Sequence, residues 1–455
     1  MTEFLVAWTK DVPLYEQLYR YVVDEIRAGR LVKGEKLPSR RRLAQHLGVS
    51  LTTVERAYAL LTAEGYAAAA PRSGYRVEAL AELPAPSAPA PAPHPAEERA
   101  LDDCFSTAAV DTSVFPFTTW ARLAREAVYE NPDLLQRGDG QGDWPLRAAL
   151  ADFLREYRGV RCRPEQVVIG AGLEYLIGVV LQLLPPETVL ALEDPGYAAL
   201  WRTVENFHRP CVSVPVDGRG MDPLALAESG ADAAYVTPSH QFPLGVATPI
   251  GRRTELLRWA YEKPGRWLIE DDYDSEFRYT SRPIPAMQGQ PGGERVIYLG
   301  TFSRTVAPSI RVAYLILPEE LLGRYRERFT TSTVSRFEQE TLRRFLATGR
   351  YGRHLRRVGN LYRERRDALV AALDARFPSG AVSGAGAGLH LLFSLPGREE
   401  KDLVDRAAEA GYRIRGLSEY CRQAACPPGT VVLGFAGLPA DRAETAAAEL
   451  LRAFG

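Results

Sequence analysis

The stretch Leu299–Arg311, LGTFSRTVAPSIR, constrains this chain more than any other. The apolar run Val296, Ile297, Tyr298 and Leu299 is broken by Gly300, the pattern of a buried strand that opens into a turn. In that turn, backbone amides and the hydroxyls of Thr301 and Ser303 can face an anion. Arg311 adds a guanidinium whose two parallel N–H groups suit phosphate. Arg304 lies between them and is a permanent cation, unable to lose its proton and act as a nucleophile.

The surrounding sequence sets this turn in an α/β domain. From Leu101 onward, short apolar strands alternate with amphipathic helical stretches, which implies a mainly parallel sheet. VVIGAGLEYLIGVVLQLL, residues 167–184, reads as a strand, a glycine turn and a long helix. Amides near Ala171, Gly172 and Leu173 would then open on a phosphate, although tight packing also explains such a turn. WLIEDDYDSEF, residues 267–277, reads as a strand that ends in clustered acids. A carboxylate at a strand end can pair with a protonated ring nitrogen, but taken alone these acids read rather as a metal site or a solvated strand end.

At 455 residues the chain has room for two or more domains. No apolar run approaches the roughly 20 residues that cross a bilayer. MTEFLVAWTKD lacks the basic and apolar blocks of a signal peptide, so a cytoplasmic protein with no membrane partner is expected. The five cysteines, Cys104, Cys162, Cys211, Cys421 and Cys426, form no CxxC pair; plain thiols and no metal site are expected. Residues 1–78 hold twelve Lys or Arg and nine Asp or Glu, a charge of +3 against −4 for the rest. That excess supports a nucleic-acid partner without establishing one.

Within residues 1–78, Leu14, Leu18, Tyr21, Val22 and Ile26 fall at helical spacing, and Gly29 is placed to end that helix. Ser39 can cap a short helix with Leu43, Ala44 and Leu47 inside, Gly48 turns the chain, and Ser50 caps a second helix that turns Val54, Ala57, Tyr58 and Leu61 inward. Two helices on a short glycine turn make a helix-turn-helix, whose second member enters the DNA major groove. GYAAAAPRSGYRVEAL follows as a two-stranded wing with Arg72, Ser73 and Gly74 at its tip. Residues 79–99, dominated by Ala and Pro, cannot bury a core and read as a semi-rigid linker.

The head, with its LPSxRxLA and GVSxxTV patterns, resembles the winged helix of GntR regulators. LGTFSR, together with EDPGY at 193–197, TPSHQFPLG at 237–245 and Asp271 thirty-three residues before Arg304, resembles fold-type I pyridoxal phosphate dependent aminotransferases, in the form carried by MocR-type regulators of the GntR family. The resemblance implies a DNA-binding head on an aminotransferase-like effector and dimerisation domain, residues 100–455, with a small subdomain over roughly 326–455. It further implies a homodimer on a double-stranded operator. Arg41, with Arg40 beside it, would hold phosphate; Thr52, Thr53 and Arg56 would approach base edges or backbone; Arg72 and Gly74 would meet the minor groove or phosphates. In the second domain it implies a pocket for pyridoxal 5'-phosphate. Tyr197 would stack on the ring, Asp271 pair with its nitrogen and Tyr273 bond its phenolic oxygen, with Ala171, Gly172, Leu173, Thr301, Ser303 and Arg311 around the phosphate.

Several positions depart from the resembled pattern. Arg304 stands where the family carries its Schiff-base lysine, and none of the chain's five lysines, Lys10, Lys33, Lys36, Lys263 and Lys401, is placed to replace it. Leu51 replaces an arginine common in relatives, and Phe242 replaces an asparagine. Arg137 stands for a tyrosine that reaches the neighbouring subunit's phosphate. TVVLGFAGL, residues 430–438, lacks the arginine that clamps a substrate carboxylate, and Glu419 is the charged group offered instead. The expected protein is a regulator with no catalytic residue, binding pyridoxal phosphate or a related ligand non-covalently or not at all. Two other readings stay open: a regulator whose native lysine was replaced by Arg304, and a working aminotransferase with a DNA-binding appendage. Arg353, Arg356, Arg357, Arg363, Arg365 and Arg366 read as a solvated or interdomain face, and His354 and His390 as structural.

Overall fold

Two side-chain caps shape the first part of the chain. In the computed structural model, which describes residues 4–9, 11–70, 73–78, 101–280 and 284–455, helices α1 (Leu14–Arg27), α2 (Arg40–Leu47) and α3 (Leu51–Ala63) precede strands β1 (Ala67–Ala70) and β2 (Gly74–Val77). Ser39 Oγ accepts the amide of Arg42 at 3.3 Å and Ser50 Oγ that of Thr53 at 3.1 Å, satisfying N–H groups a helix start leaves unpaired. Gly48 ends α2 at φ 64°, a conformation that costs most side chains.

Leu18, Val22, Ile26, Val54, Ala57, Tyr58 and Leu61 form one core, and the buried Tyr58 hydroxyl donates to Pro38 O at 2.9 Å. Leu14, expected inside, is exposed at the first turn of α1, and Tyr21 and Leu47 are half-buried at the core's margin. The wing strands pair antiparallel, Ala67 with Val77 through Ala70 with Gly74. Arg72 and the expected linker, residues 79–99, lie outside the described residues. Contacts divide the chain into two units, Met1–Ala96 and Glu97–Gly455.

The second unit is built on an eight-stranded sheet. Its strands are β3 (Val167–Gly170), β4 (Leu190–Asp194), β5 (Cys211–Asp217), β6 (Gly220–Met221), β7 (Ala233–Val236), β8 (Trp267–Asp272), β9 (Val296–Thr301) and β10 (Ala313–Ile316), in the order β3-β10-β9-β8-β7-β4-β5-β6. β9, β8, β7, β4 and β5 are parallel, whereas β10 runs against β9 and β3, and β6 against β5. The sheet is therefore mainly parallel with antiparallel margins. Every residue of β3, β4, β7, β8, β9 and β10 is buried, as continuous apolar runs in a sheet covered on both faces require.

Helices α4 (Phe117–Glu130), α5 (Trp144–Arg158), α6 (Leu173–Leu183), α7 (Ala198–Asn206), α8 (Pro223–Glu228), α9 (Ile250–Glu262), α10 (Glu319–Arg328) and α11 (Arg336–Ala347) accompany it. The long α12 (Arg350–Asp374) leads to an antiparallel sheet of β11 (Val382–Ser383), β12 (His390–Ser394), β13 (Arg415–Gly416) and β14 (Thr430–Gly434), packed with α13 (Glu400–Glu409) and α14 (Ala443–Phe454). The small subdomain is expected from the sequence to start near residue 326. α11 packs on α4 and α5, and Tyr351 joins their core, whereas Val358 and later residues of α12 join that of the small layer.

One buried ion pair ties α5 to the sheet. Arg158 Nε donates to Asp272 Oδ2 at 2.7 Å and Nη2 to Oδ1 at 3.2 Å, while Nη2 also reaches Ser239 Oγ at 2.9 Å. Removing one partner strands the other charge without water, so Arg158→Met is expected to lower the stability of the C-terminal unit by about 3–5 kcal/mol. A denaturant titration read by tryptophan fluorescence checks it; Arg158→Met with Asp272→Asn should recover part of the loss.

Candidate functional site

Parallel strands end on the same side of a sheet, so β4, β7, β8 and β9 deliver their following residues to one place. A cavity of about 260 Å³ opens there. Leu173, Tyr197, Asp271, Tyr273, Thr301, Ser303, Arg304 and Arg311 all line it, from sequence positions more than a hundred residues apart. Thr107, Ala108, Glu174, Thr237, Phe242 and Pro308 complete the wall. Apart from Phe242, none of these was singled out from sequence.

At one end, Arg311 takes the left-handed conformation, φ 48°, and its guanidinium lies against Gly172. A Cβ at 172 would overlap Arg311 Nη2, so glycine here makes room for the cation. Thr301 Oγ1 accepts the Ser303 amide and donates to Ser303 Oγ, both at 3.1 Å. The expected free amides at 171 and 172 are not free: Ala171 N–H donates to Thr333 Oγ1 at 3.1 Å and Gly172 N–H to Gly170 O at 2.8 Å. The first-turn amides of α6, starting at Leu173, lack helical partners and are the donors left at this end.

At the other end, Asp271 is fully buried. Its Oδ2 accepts the Tyr235 hydroxyl, and its Oδ1 has no partner. Burial pushes this carboxyl up to about 7; the Tyr235 bond opposes the rise, and Asp272 and Asp274 add to it. The orphaned Oδ1 is what a protonated ring nitrogen would satisfy, so these residues fit the ring of pyridoxal phosphate. Tyr273 also lines the cavity. Its hydroxyl donates to His240 O at 3.0 Å, so bonding a phenolic oxygen with that proton requires releasing His240.

Phe242 stands edge-on to Tyr197 at 6.1 Å and to His390 at 5.1 Å. His240 Nδ1 meets Asp274 Oδ2 at 2.9 Å, and its ring lies 4.7 Å from that of His390. Burial, reinforced by His240 and Arg304, drives His390 well below the ordinary histidine pKa and keeps it neutral. The His240 and His390 pair behind the cavity wall had no signal in sequence beyond the SHQF motif.

Arg304 is half-buried in the cavity, and its charge acts on Tyr197, Tyr273 and His390. No lysine is among the lining residues. Glu419 does not line the cavity; it pairs with Arg415 at 2.7 Å and caps the Gly416 amide. Arg137 bonds Thr330 O at 3.0 Å. Cys421 and Cys426, expected as plain thiols, are joined in a disulfide, while Cys104, Cys162 and Cys211 are free. Among the described residues no group of three His, Cys, Asp or Glu is placed to hold a metal.

In the head, Arg41, Thr52 and Arg56 are exposed, Arg56 lying over the Tyr15 ring at 5.8 Å. Arg40 pairs with Glu55 at 3.0 Å, and the Thr53 hydroxyl with Ser50 Oγ at 2.8 Å, so both are partly engaged within the head. Gly74 sits exposed at the wing tip with φ 90°. Leu51 exposes an apolar side chain at the first position of α3.

A capped helix-turn-helix with a wing, followed by an α/β unit whose parallel strands gather one cavity, defines a transcriptional regulator with an aminotransferase-like domain. Residues 14–77 match the bacterial regulatory proteins of the gntR family. The HTH-type transcriptional regulator YdeL of Bacillus subtilis is 40% identical over 442 residues, 94% of each chain. The probable rhizopine catabolism regulatory protein MocR of Rhizobium meliloti is 33% identical over 451 residues, covering 94% of this chain and 91% of that one. Among solved structures, the α-aminoadipate aminotransferase LysN of Thermus thermophilus, complexed with N-(5'-phosphopyridoxyl)-L-leucine, matches with a TM-score of 0.67 and 27% identity over 77% of this chain and 91% of that one. The chain belongs to the MocR-type regulators of the GntR family.

Two outcomes follow from the geometry. Glu193, Glu270 and Asp271 are pushed up to about 7 and Glu276 to about 8, each by burial first. A carboxyl whose folded pKa exceeds its unfolded value of about 4 holds its proton more tightly when folded, so its stabilising contribution is full below pH 4 and is lost as pH rises toward the folded value. The denaturant midpoint of the C-terminal unit should therefore fall between pH 5 and pH 8, and Asp271→Asn should flatten the fall. For the head, Arg41→Ala should weaken operator binding and reduce the slope of log affinity against log salt by about 0.9, whereas Arg40→Ala, already tied to Glu55, should cost less; a salt series of band shifts measures both.

Proposed function

We propose that this regulator binds a double-stranded operator as a cytoplasmic homodimer and uses its C-terminal unit as a sensor, not as an enzyme. The sensed ligand is a phosphorylated pyridine, pyridoxal phosphate or a derivative, held without a covalent bond. The observation that carries this reading is the side chain at 304: a cavity lined by Tyr197, Asp271, Thr301, Ser303 and Arg311 presents a guanidinium and no lysine. When bound, the cofactor supplies an electron-withdrawing ring and a reactive aldehyde.

This chain's residues would bind and orient that group. Arg311, Thr301, Ser303 and the α6 amides take the phosphate, Asp271 Oδ1 takes the ring N–H, and Tyr197 and Phe242 shield the ring from water. No lining residue has a primary amine to accept and return a proton at the reacting carbon, so transamination is not supported. The DNA-binding part of the proposal rests on the winged head and on the relatives' description as transcriptional regulators.

The test adds pyridoxal phosphate to the chain and to Arg304→Lys, with mass spectrometry after borohydride. The chain as it stands should show perturbed absorbance with no mass retained after denaturation. The lysine variant should retain a pyridoxyl mass. Covalent retention by the unsubstituted chain overturns the proposal.

A further inference from the structure

If the cavity holds a phosphorylated ring as proposed above, the residue at 304 also decides which ring. Arg304 and Arg311 both line the cavity, and neither has an ion-pair or hydrogen-bond partner among the described residues. Buried arginines of this unit are treated differently: Arg158 sits on Asp272, Arg147 on Asp139 and Arg365 on Asp111. Of the two acids in the wall, Asp271 is turned to Tyr235, and Glu174, on the first turn of α6, bonds neither guanidinium. Arg304 is half-buried and Arg311 exposed, so the cavity wall carries two cations with no counter-charge among the described residues, open to pairing with an anionic ligand.

The two cations mark different ends. Arg311 packs on Gly172 beside the hydroxyls of Thr301 and Ser303, while Arg304 acts on Tyr197, Tyr273 and His390 at the ring end. A guanidinium does not condense with an aldehyde, but its planar fork takes a carboxylate through two parallel hydrogen bonds. The stretch 430–438, meanwhile, contains no arginine to serve as such a clamp.

We propose that Arg304 is a carboxylate clamp, and that the effector is a phosphorylated pyridine bearing a carboxylate, with its phosphate on Arg311 and its carboxylate on Arg304. This chemistry has two sources: the ring with its aldehyde oxidised to the acid, or the ring joined through nitrogen to an amino acid. An aminomethyl group at the same place sets an ammonium against the guanidinium and is disfavoured.

Calorimetric titration of the full chain tests this with three probes: pyridoxamine phosphate, the ring 4-carboxylic acid 5'-phosphate, and N-(5'-phosphopyridoxyl)-L-leucine. At least one carboxylate should bind about tenfold or more tighter than pyridoxamine phosphate, and the tighter of the two identifies the source. Arg304→Gln should bring that ratio within about threefold. Arg304→Lys, which keeps the charge and loses the fork, should fall between and serves if the glutamine variant does not fold. Arg311→Gln should weaken all three probes alike. Equal affinity for the three probes, or a ratio unchanged in Arg304→Gln, overturns the clamp and leaves the pocket standing. Binding of none overturns the clamp and the phosphorylated-pyridine pocket together.

Discussion

The C-terminal unit depends on how it accommodates four acids in five positions. Glu270, Asp271, Asp272 and Asp274 are all buried at the end of β8, where unpaired carboxylates are prohibitively costly. Side chains alternate across a strand, so Glu270 and Asp272 face one side and Asp271 the other. On the first side Asp272 meets Arg158, and Glu270 accepts the amides of Met287 and Gln288 near Arg253. Burial alone would raise Asp272, yet Arg158 and the Tyr298 hydroxyl hold it below the ordinary carboxylate pKa. With that charge fixed outside the cavity, Asp271 can keep one oxygen unsatisfied on the cavity side. The ligand end of the site is thus supported by an ion pair that never touches it.

The parts of this arrangement that depend on neighbours in sequence were legible there. Caps at Ser39 and Ser50, the turn at Gly48 and the inward face of α3 follow from local spacing, and the structure repeats them. The strand, turn and hydroxyl pattern of 296–303 likewise needs only its own residues, and it ends in the cavity wall as expected. The mixed margins of the large sheet were less visible, because an apolar run carries no sign of the direction of its partner.

What was not legible depends on partners far away in the chain. Nothing near Ala171 announces that Thr333 will take its amide, and nothing near Tyr273 announces that its proton goes to His240 O. Glu419 was a plausible pocket acid until Arg415, four residues before it, claimed it. Cys421 and Cys426 gave no metal spacing, yet the intervening turn is drawn tight because Arg422, Gln423 and Ala424 all donate amides to Asp194. Asp194 ends β4 three residues before Tyr197, so this distant loop also braces the ring end of the cavity.

The same cavity has a wall that no aminotransferase motif marks. Thr107 and Ala108 belong to the segment that enters the C-terminal unit, and they are held between anchors on the small layer. Phe105 O accepts the Gly434 amide at 2.8 Å, and the Asp111 amide donates to the Tyr362 hydroxyl at 3.0 Å. The opposite wall comes from the large sheet, through Asp271, Thr301 and Arg304. A ligand shifts an equilibrium only by the difference in its affinity for two arrangements. A ligand held by Arg304, as proposed above, and reaching Thr107 would gain such a difference from any change in the spacing of the two layers.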